Sequence, residues 1–200
     1  MSRIITFGVP PGPDIGAVQA LLNKHNPTRL PRSVEDKRYG VFSMARVMEF
    51  QHRSGLEPDG AVGPLTKTKL AGGLAKTPAD PAGKCIVVDL IFRNRAHAFQ
   101  DGRTMLRDIP CHGGSTEDPS TRGVFFVDKT RRFRHHTSSE FPEPPDNMQF
   151  SLFFNKGQAI HLGPADEPSH GCIHVDMPGA QQLFHFAGSD DVMVIIVKRH

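Results

Sequence analysis

The stretch Ala75-Lys76-Thr77-Pro78-Ala79-Asp80-Pro81-Ala82-Gly83-Lys84-Cys85-Ile86-Val87-Val88-Asp89-Leu90 is where this chain changes character. Residues 75 to 83 combine prolines, alanines and a glycine, a composition that cannot stay helical and forms a short, fairly stiff spacer. From Lys84 the chain turns apolar and β-branched, as a buried strand requires. Upstream of this junction the hydrophobic pattern has a helical period. Downstream it breaks into short strand-like runs. The chain therefore divides into a helical module over residues 1–74, a linker over 75–83 and a mainly β domain over 84–200.

On the helical side, Asp14 is placed to cap a helix that carries Ile15, Val18, Leu21 and Leu22 on one face, and Ser43 to cap another with Met44, Val47, Met48 and Gln51. A third helix starts near Pro64, a residue suited to the first helical position. Between the second and third, Gly55-Leu56-Glu57-Pro58-Asp59-Gly60-Ala61-Val62-Gly63 is rich in turn formers. An insert from Asn26 to Gly40, rich in Pro and Arg, separates the first two. On the β side, strand-like runs cover residues 85–92, 104–109, 124–127, 148–154 and 192–197. One helix interrupts them, with Asp176 as cap, Ala180, Leu183 and Phe184 facing inward and Gly188 at its end. Residues 138–147 read as a long loop and a candidate lid. A β domain of this length is expected to fold alone, with the helical module as a tethered accessory.

Composition sets the class. The 200 residues are 38% hydrophobic and 22% charged, which is globular usage, and the formal net charge is only +3. Basic residues are scattered apart from Lys129-Thr130-Arg131-Arg132-Phe133-Arg134, so no nucleic-acid groove is expected. No run of about 18 apolar residues suggests a membrane span. The amino terminus lacks the apolar core and small-residue cleavage site of a secretory signal, so the export route is open. Three cysteines, Cys85, Cys111 and Cys172, leave a Cys85–Cys111 bridge undecided.

The chemistry is concentrated in Ser169-His170-Gly171-Cys172, with His161 upstream in Gln158-Ala159-Ile160-His161-Leu162. A free cysteine is mostly thiol near neutral pH, so a nucleophilic one needs a base or an electropositive pocket. His161 and His170 are both candidates. Gly171 allows a tight turn in which the N–H groups of Gly171 and Cys172 face a developing oxyanion, which makes acyl transfer the natural reaction. The bland alternative is an inert buried thiol. A second alternative is zinc, because His161, His170, Cys172 and His174 are all competent ligands. The chain has neither a C-x-x-C nor an H-E-x-x-H pattern, so no metal and no cofactor is expected.

The run Ala159-Ile160-His161-Leu162-Gly163-Pro164, followed by Pro168-Ser169-His170-Gly171-Cys172-Ile173-His174-Val175, resembles the signature of the L,D-transpeptidase catalytic family (YkuD type). The resemblance implies Cys172 as nucleophile, His161 as base, and the Leu162 carbonyl as the group that orients the imidazole. It also implies that His170 shapes the pocket, Gly171 and Cys172 supply the oxyanion hole, and Ser169 supports the loop. His174, Leu162, Thr121 and Gly123 are assigned to the substrate side. The stretch from Cys111-His112-Gly113-Gly114 to Ser120-Thr121-Arg122-Gly123 matches, more loosely, the family's small-residue loop ahead of a Thr-x-Gly turn. Two positions depart from the family: the gap from His161 to Ser169 is short, and His174 stands where Arg or Asn is usual.

Residues of the helical half, Phe50-Gln51, Gly55-Leu56, Asp59-Gly60, Val62-Gly63-Pro64, Thr66 and Leu70, resemble a peptidoglycan-binding module. Together the resemblances imply two modules, a small α-helical bundle and a mainly β L,D-transpeptidase-like domain with one helix. Peptidoglycan is the expected partner, and the periplasm or cell wall the expected site of action. The implied activity is cysteine acyl transfer on stem peptides, as transpeptidation, D-amino-acid exchange or L,D-carboxypeptidase hydrolysis. Two other readings use the same residues: a leaderless antibacterial effector with a secretion-system or immunity-protein partner, and an inactive wall-binding protein.

Overall fold

The computed structural model describes residues 3–25, 28–72, 83–131 and 147–199. Most of the linker at 75–83 and nearly all of the candidate lid at 138–147 lie outside them. Three helices come first: α1 (Pro13–Lys24), α2 (Val41–Arg53) and α3 (Pro64–Gly72). Their buried faces follow the apolar stripes, with Ile15, Val18 and Leu22 on α1 and Met44, Val47, Met48 and Gln51 on α2. The caps differ from expectation. α1 starts after Gly12, and Asp14 lies inside its first turn, paired to Arg3 Nε at 2.8 Å. α2 starts after Gly40, and Ser43 is internal, its hydroxyl 3.2 Å from Gln19 Nε2. Gln51 organises the Asp59-Gly60 turn, receiving the Gly60 N–H at 2.8 Å and giving its own amide to Asp59 Oδ1 at 2.8 Å.

The rest is a mixed eight-stranded sheet in the order β4-β8-β1-β2-β3-β7-β6-β5, with one helix, α4 (Gly179–Ala187). The strands are β1 (Lys84–Asp89), β2 (Arg95–Gln100), β3 (Arg103–His112), β4 (Gly123–Phe126), β5 (Leu152–Asn155), β6 (Gln158–Leu162), β7 (Ile173–Val175) and β8 (Val192–Val197). Asp128 N–H donates to the Phe153 carbonyl at 2.8 Å, which brings the two edge strands together and curls the sheet. At α4, Pro178 precedes the first turn. The expected cap Asp176 instead accepts the Ala165 N–H on its carboxylate at 3.0 Å.

Alternation along the strands splits the buried residues into two clusters. Ile86, Val88, Ala96, Ala98, Val194 and Ile196 face inward, with Ile160, Ile173, Val175 and the α4 residues Ala180, Leu183 and Ala187. Cys85, Val87, Phe99, Met193, Ile195 and Val197 face the other way, into one continuous cluster with Ile15, Leu22, Met44, Met48 and Leu70 of the helices. The helical module is thus the cover of one sheet face. The outer face of the β domain therefore packs against the helices, where the sequence led to the expectation of a β domain that folds alone. None of the three cysteines is in a disulfide, and Cys85 and Cys111 lie in different clusters, on opposite faces of the sheet.

Candidate active site

Strands β6 and β7 run parallel with Ile160 opposite Ile173, His161 opposite His174 and Leu162 opposite Val175. Ile160, Ile173 and Val175 belong to the inner cluster, so the alternating His161 and His174, and Cys172 just before β7, lie on the opposite, outward face. The neighbouring strand β3 adds a third imidazole there, since His112 pairs with His174. Three histidines therefore cross the sheet in one row, His112, His174 and His161, with Cys172 diagonal to His161. Such diagonal neighbours are within reach of long side chains.

Cys172 is partly exposed and packs against Met148, Phe153 and Ala159. Its Sγ lies 3.4 Å from the Ala159 backbone nitrogen, which donates to it. The other two thiols are of a different kind. Cys111 is buried on β3, where loss of solvent pushes its pKa up to about 12, and burial drives Cys85 well above the ordinary range. Neither carries thiolate at neutral pH. Cys111 and His112, expected at the start of the small-residue loop, belong instead to β3.

His161 is 6% exposed, and its Nδ1 lies 2.8 Å from the Leu162 carbonyl oxygen. An N–H donated there leaves Nε2 as the nitrogen with a lone pair. Burial is the chief cause that lowers the His161 pKa to about 4; the Leu162 carbonyl opposes it and His174 adds to it. His174 stands edge-on to His161, with ring centroids 5.0 Å apart at 79°. Burial also lowers the His174 pKa, against hydrogen bonding to the backbone of Glu167 and Pro164. Among the described residues its Nδ1 has no hydrogen-bond partner. The short segment between His161 and Ser169 closes over this ring, and a Cβ at Gly163 would come within 2.7 Å of His174 Cδ2.

The turn that presents Cys172 is bound from within and from outside. Ser169 Oγ donates to the Cys172 carbonyl at 2.6 Å and accepts the Gly171 N–H at 3.1 Å. The Gly171 N–H is therefore engaged, which departs from its expected role in an oxyanion hole. Gly171 itself is at φ +101°, a region that favours glycine. The 113–123 loop grips the turn. Ser169 N–H donates to the Gly113 carbonyl at 3.0 Å and Ser115 N–H to the Ser169 carbonyl at 2.9 Å. Ser120, only 3% exposed, donates to the Cys172 carbonyl at 3.1 Å and accepts the Gly114 N–H at 2.8 Å.

His170 is exposed on this turn. Thr121 is exposed too and meets the site through Gln158, whose Oε1 accepts its N–H at 3.2 Å. Gly123 is buried at the start of β4, opposite Ile196 of β8. Ser120 and Gln158 were missed as site residues. The hydroxyl preceding the Thr-x-Gly turn was the available signal for the first, and no local signal marks the second. Among the described residues, no group of three or more His, Cys, Asp or Glu is placed to hold a metal ion, and no helix is long and apolar enough to cross a membrane.

Comparison with known proteins joins the two halves of this description. Among curated proteins none matches the chain. An L,D-transpeptidase structure from Stackebrandtia nassauensis is 17% identical over 95% of this chain and 93% of its own, with a TM-score of 0.52, and shares the fold. An L,D-transpeptidase from Xylanimonas cellulosilytica, solved over its residues 123–326, is 26% identical and covers 98% of each chain at a TM-score of 0.47. The peptidoglycan binding domain profile matches residues 11–70, the helical cover. The L,D-transpeptidase catalytic domain profile matches residues 83–196, and these include the curled sheet, the cysteine turn and the histidine row: the chain belongs to the L,D-transpeptidase catalytic domain family.

Proposed function

We propose that this chain is a cysteine acyltransferase that acts on peptidoglycan stem peptides in the periplasm or cell wall. The observation that carries the reading is a partly exposed thiol on one sheet face with an imidazole whose Nδ1 is tied to its own backbone neighbour. Cys172 sulfur attacks the carbonyl of the L,D-peptide bond of a stem tetrapeptide. A carbon–sulfur bond forms, the carbon–nitrogen bond breaks, and D-alanine leaves. His161 Nε2 takes the thiol proton and returns it to the leaving amine. Because burial disfavours the imidazolium, His161 rests neutral and takes up a proton as attack proceeds.

The thioester then meets an acceptor. An amine gives a cross-link or D-amino-acid exchange, and water gives L,D-carboxypeptidase activity. The division of labour between residues 1–74, the linker at 75–83 and residues 84–200 belongs to the same proposal, with the helices holding the wall and the sheet doing the chemistry.

Purified muropeptides incubated with the protein should yield free D-alanine and a change in stem mass, and Cys172→Ala should abolish both. Release of D-alanine by the alanine variant would remove Cys172 from the role. A carbapenem, whose strained lactam imitates the acyl donor, should leave a mass adduct on Cys172. Absence of any product from the parent protein would leave a wall-binding function alone.

A further inference from the structure

Away from the cysteine turn, a groove of about 440 Å³ opens between the segment that follows α1 and strands β2 and β3. Leu30, Val41, Phe42 and Phe99 give it an apolar lining, and Phe42 is 40% exposed. Four arginines also line it, Arg32, Arg38, Arg46 and Arg107, against one acidic residue, Asp36. That carboxylate is already engaged, accepting Gln19 Nε2 at 2.9 Å and the Arg38 N–H at 3.0 Å. Among the described residues none of the four arginines makes a salt bridge.

Arg46 is the most informative of them. It is 3% exposed, donates to the Leu22 carbonyl at 2.6 Å, the Pro31 carbonyl at 2.7 Å and the Leu30 carbonyl at 3.5 Å, and among the described residues its Nε has no hydrogen-bond partner. The buried acid on the same helix, Glu49, accepts the Arg29 N–H at 3.0 Å and favours the charged form of Arg46 electrostatically. Glu49 thus offsets part of the Arg46 charge, and the exposed Arg32, Arg38 and Arg107 are the groups that an arriving anion meets. The planar guanidinium fork suits a carboxylate, and the apolar lining suits small aliphatic side chains.

Arg107 lies five residues before His112 on β3, about 17 Å away at ~3.3 Å per residue. A tetrapeptide spans about 14 Å at full extension. A stem peptide reacting at Cys172 therefore does not also fill the groove. We propose that this groove binds the carboxylates of a second, unreacted stem peptide, which holds the enzyme on the wall while Cys172 works on another. The inference rests on the peptidoglycan reading above.

The test uses the full chain with Cys172→Ala, which removes covalent capture. Calorimetric titration with a stem tetrapeptide should show saturable binding, weakened at least about tenfold by Arg38→Glu with Arg107→Glu and by amidation of the peptide's carboxylates. The milder pair Arg38→Gln with Arg107→Gln guards against misfolding and should weaken binding in the same direction. With Cys172 restored, either pair should turn over soluble muropeptides at the parent rate but be retained less on sacculi.

Unchanged tetrapeptide affinity in both pairs would overturn the inference, as would a groove that ignores the peptide and binds polyglycerol phosphate. Muropeptide turnover without arginine-dependent binding would leave the proposed reaction standing and the groove wrong. Arginine-dependent binding without turnover would do the reverse.

Discussion

His161 is the residue at which packing sets charge most directly. Its folded pKa, lowered to about 4 mainly by burial, lies below the ordinary histidine value of 6.5. As pH falls the unfolded chain takes the proton first, so the folded state loses stability from about pH 6.5 and has lost the full contribution below about pH 4. The gap of roughly two and a half pH units corresponds to about 3 kcal/mol. Urea unfolding across this window should show a shallower pH dependence for His161→Gln than for the parent, by about that amount. Superimposable curves would mean that the imidazole is not buried neutral. The same neutrality fits His161 for proton abstraction near pH 7, so His161→Gln should cut Cys172 acylation by at least about a hundredfold. Equal acylation rates in variant and parent would rule it out as base.

Among the elements, the 113–123 loop and the 169–172 turn form one unit, since Ser120 reaches the Cys172 carbonyl and the two backbones exchange hydrogen bonds through Ser169. Gly114 lies between them: a Cβ there would meet the Asp118 carbonyl oxygen at 2.0 Å and Gly171 Cα at 2.8 Å, both backbone atoms that cannot turn aside. Gly114→Ala should therefore cost about 1–3 kcal/mol of stability and displace the thiol. Thermal unfolding and Cys172 alkylation rates would check it, and a variant unchanged in both would show the unit to be looser than drawn. Cys172 and His161 were legible in the sequence because their signal is local. Ser120 and Gln158 were not, because they act across the chain, 52 residues from Cys172 and 37 from Thr121. Helix faces were legible from their period. The start of α3 at Pro64 was legible too, whereas those of α1 and α2 were misplaced because Gly12 and Gly40 precede them and offer no capping side chain. Strand β2, Arg95-Ala96-His97-Ala98-Phe99-Gln100, escaped because small and charged residues hide its alternation, and β7 is only 3 residues long.

At the scale of the whole molecule, the change of pattern at residues 75–84 suggests a β domain that folds alone with a tethered accessory, because a linker is visible in sequence and a contact across it is not. The outer sheet face presents Cys85, Val87, Phe99, Met193, Ile195 and Val197 to the helices, and five of these six come from the adjacent strands β1 and β8 with 0% exposure. Uncovering six such side chains forfeits on the order of 10 kcal/mol at about 1.5–2 kcal/mol each, comparable with the whole stability of an ordinary domain. Deleting residues 1–74 should accordingly give a protein that aggregates or unfolds, instead of a smaller enzyme with intact Cys172 reactivity. Replacing the exposed face with polar residues at Val87, Met193 and Ile195 in the truncated chain should recover solubility, because the inner cluster of Ile86, Val88, Val194 and Ile196 does not use the helices. A truncated chain that stayed soluble and reactive without those changes would show that the helices only shelter the sheet. Their contribution would then be confined to the wall and to the arginine-lined groove they form with β2 and β3.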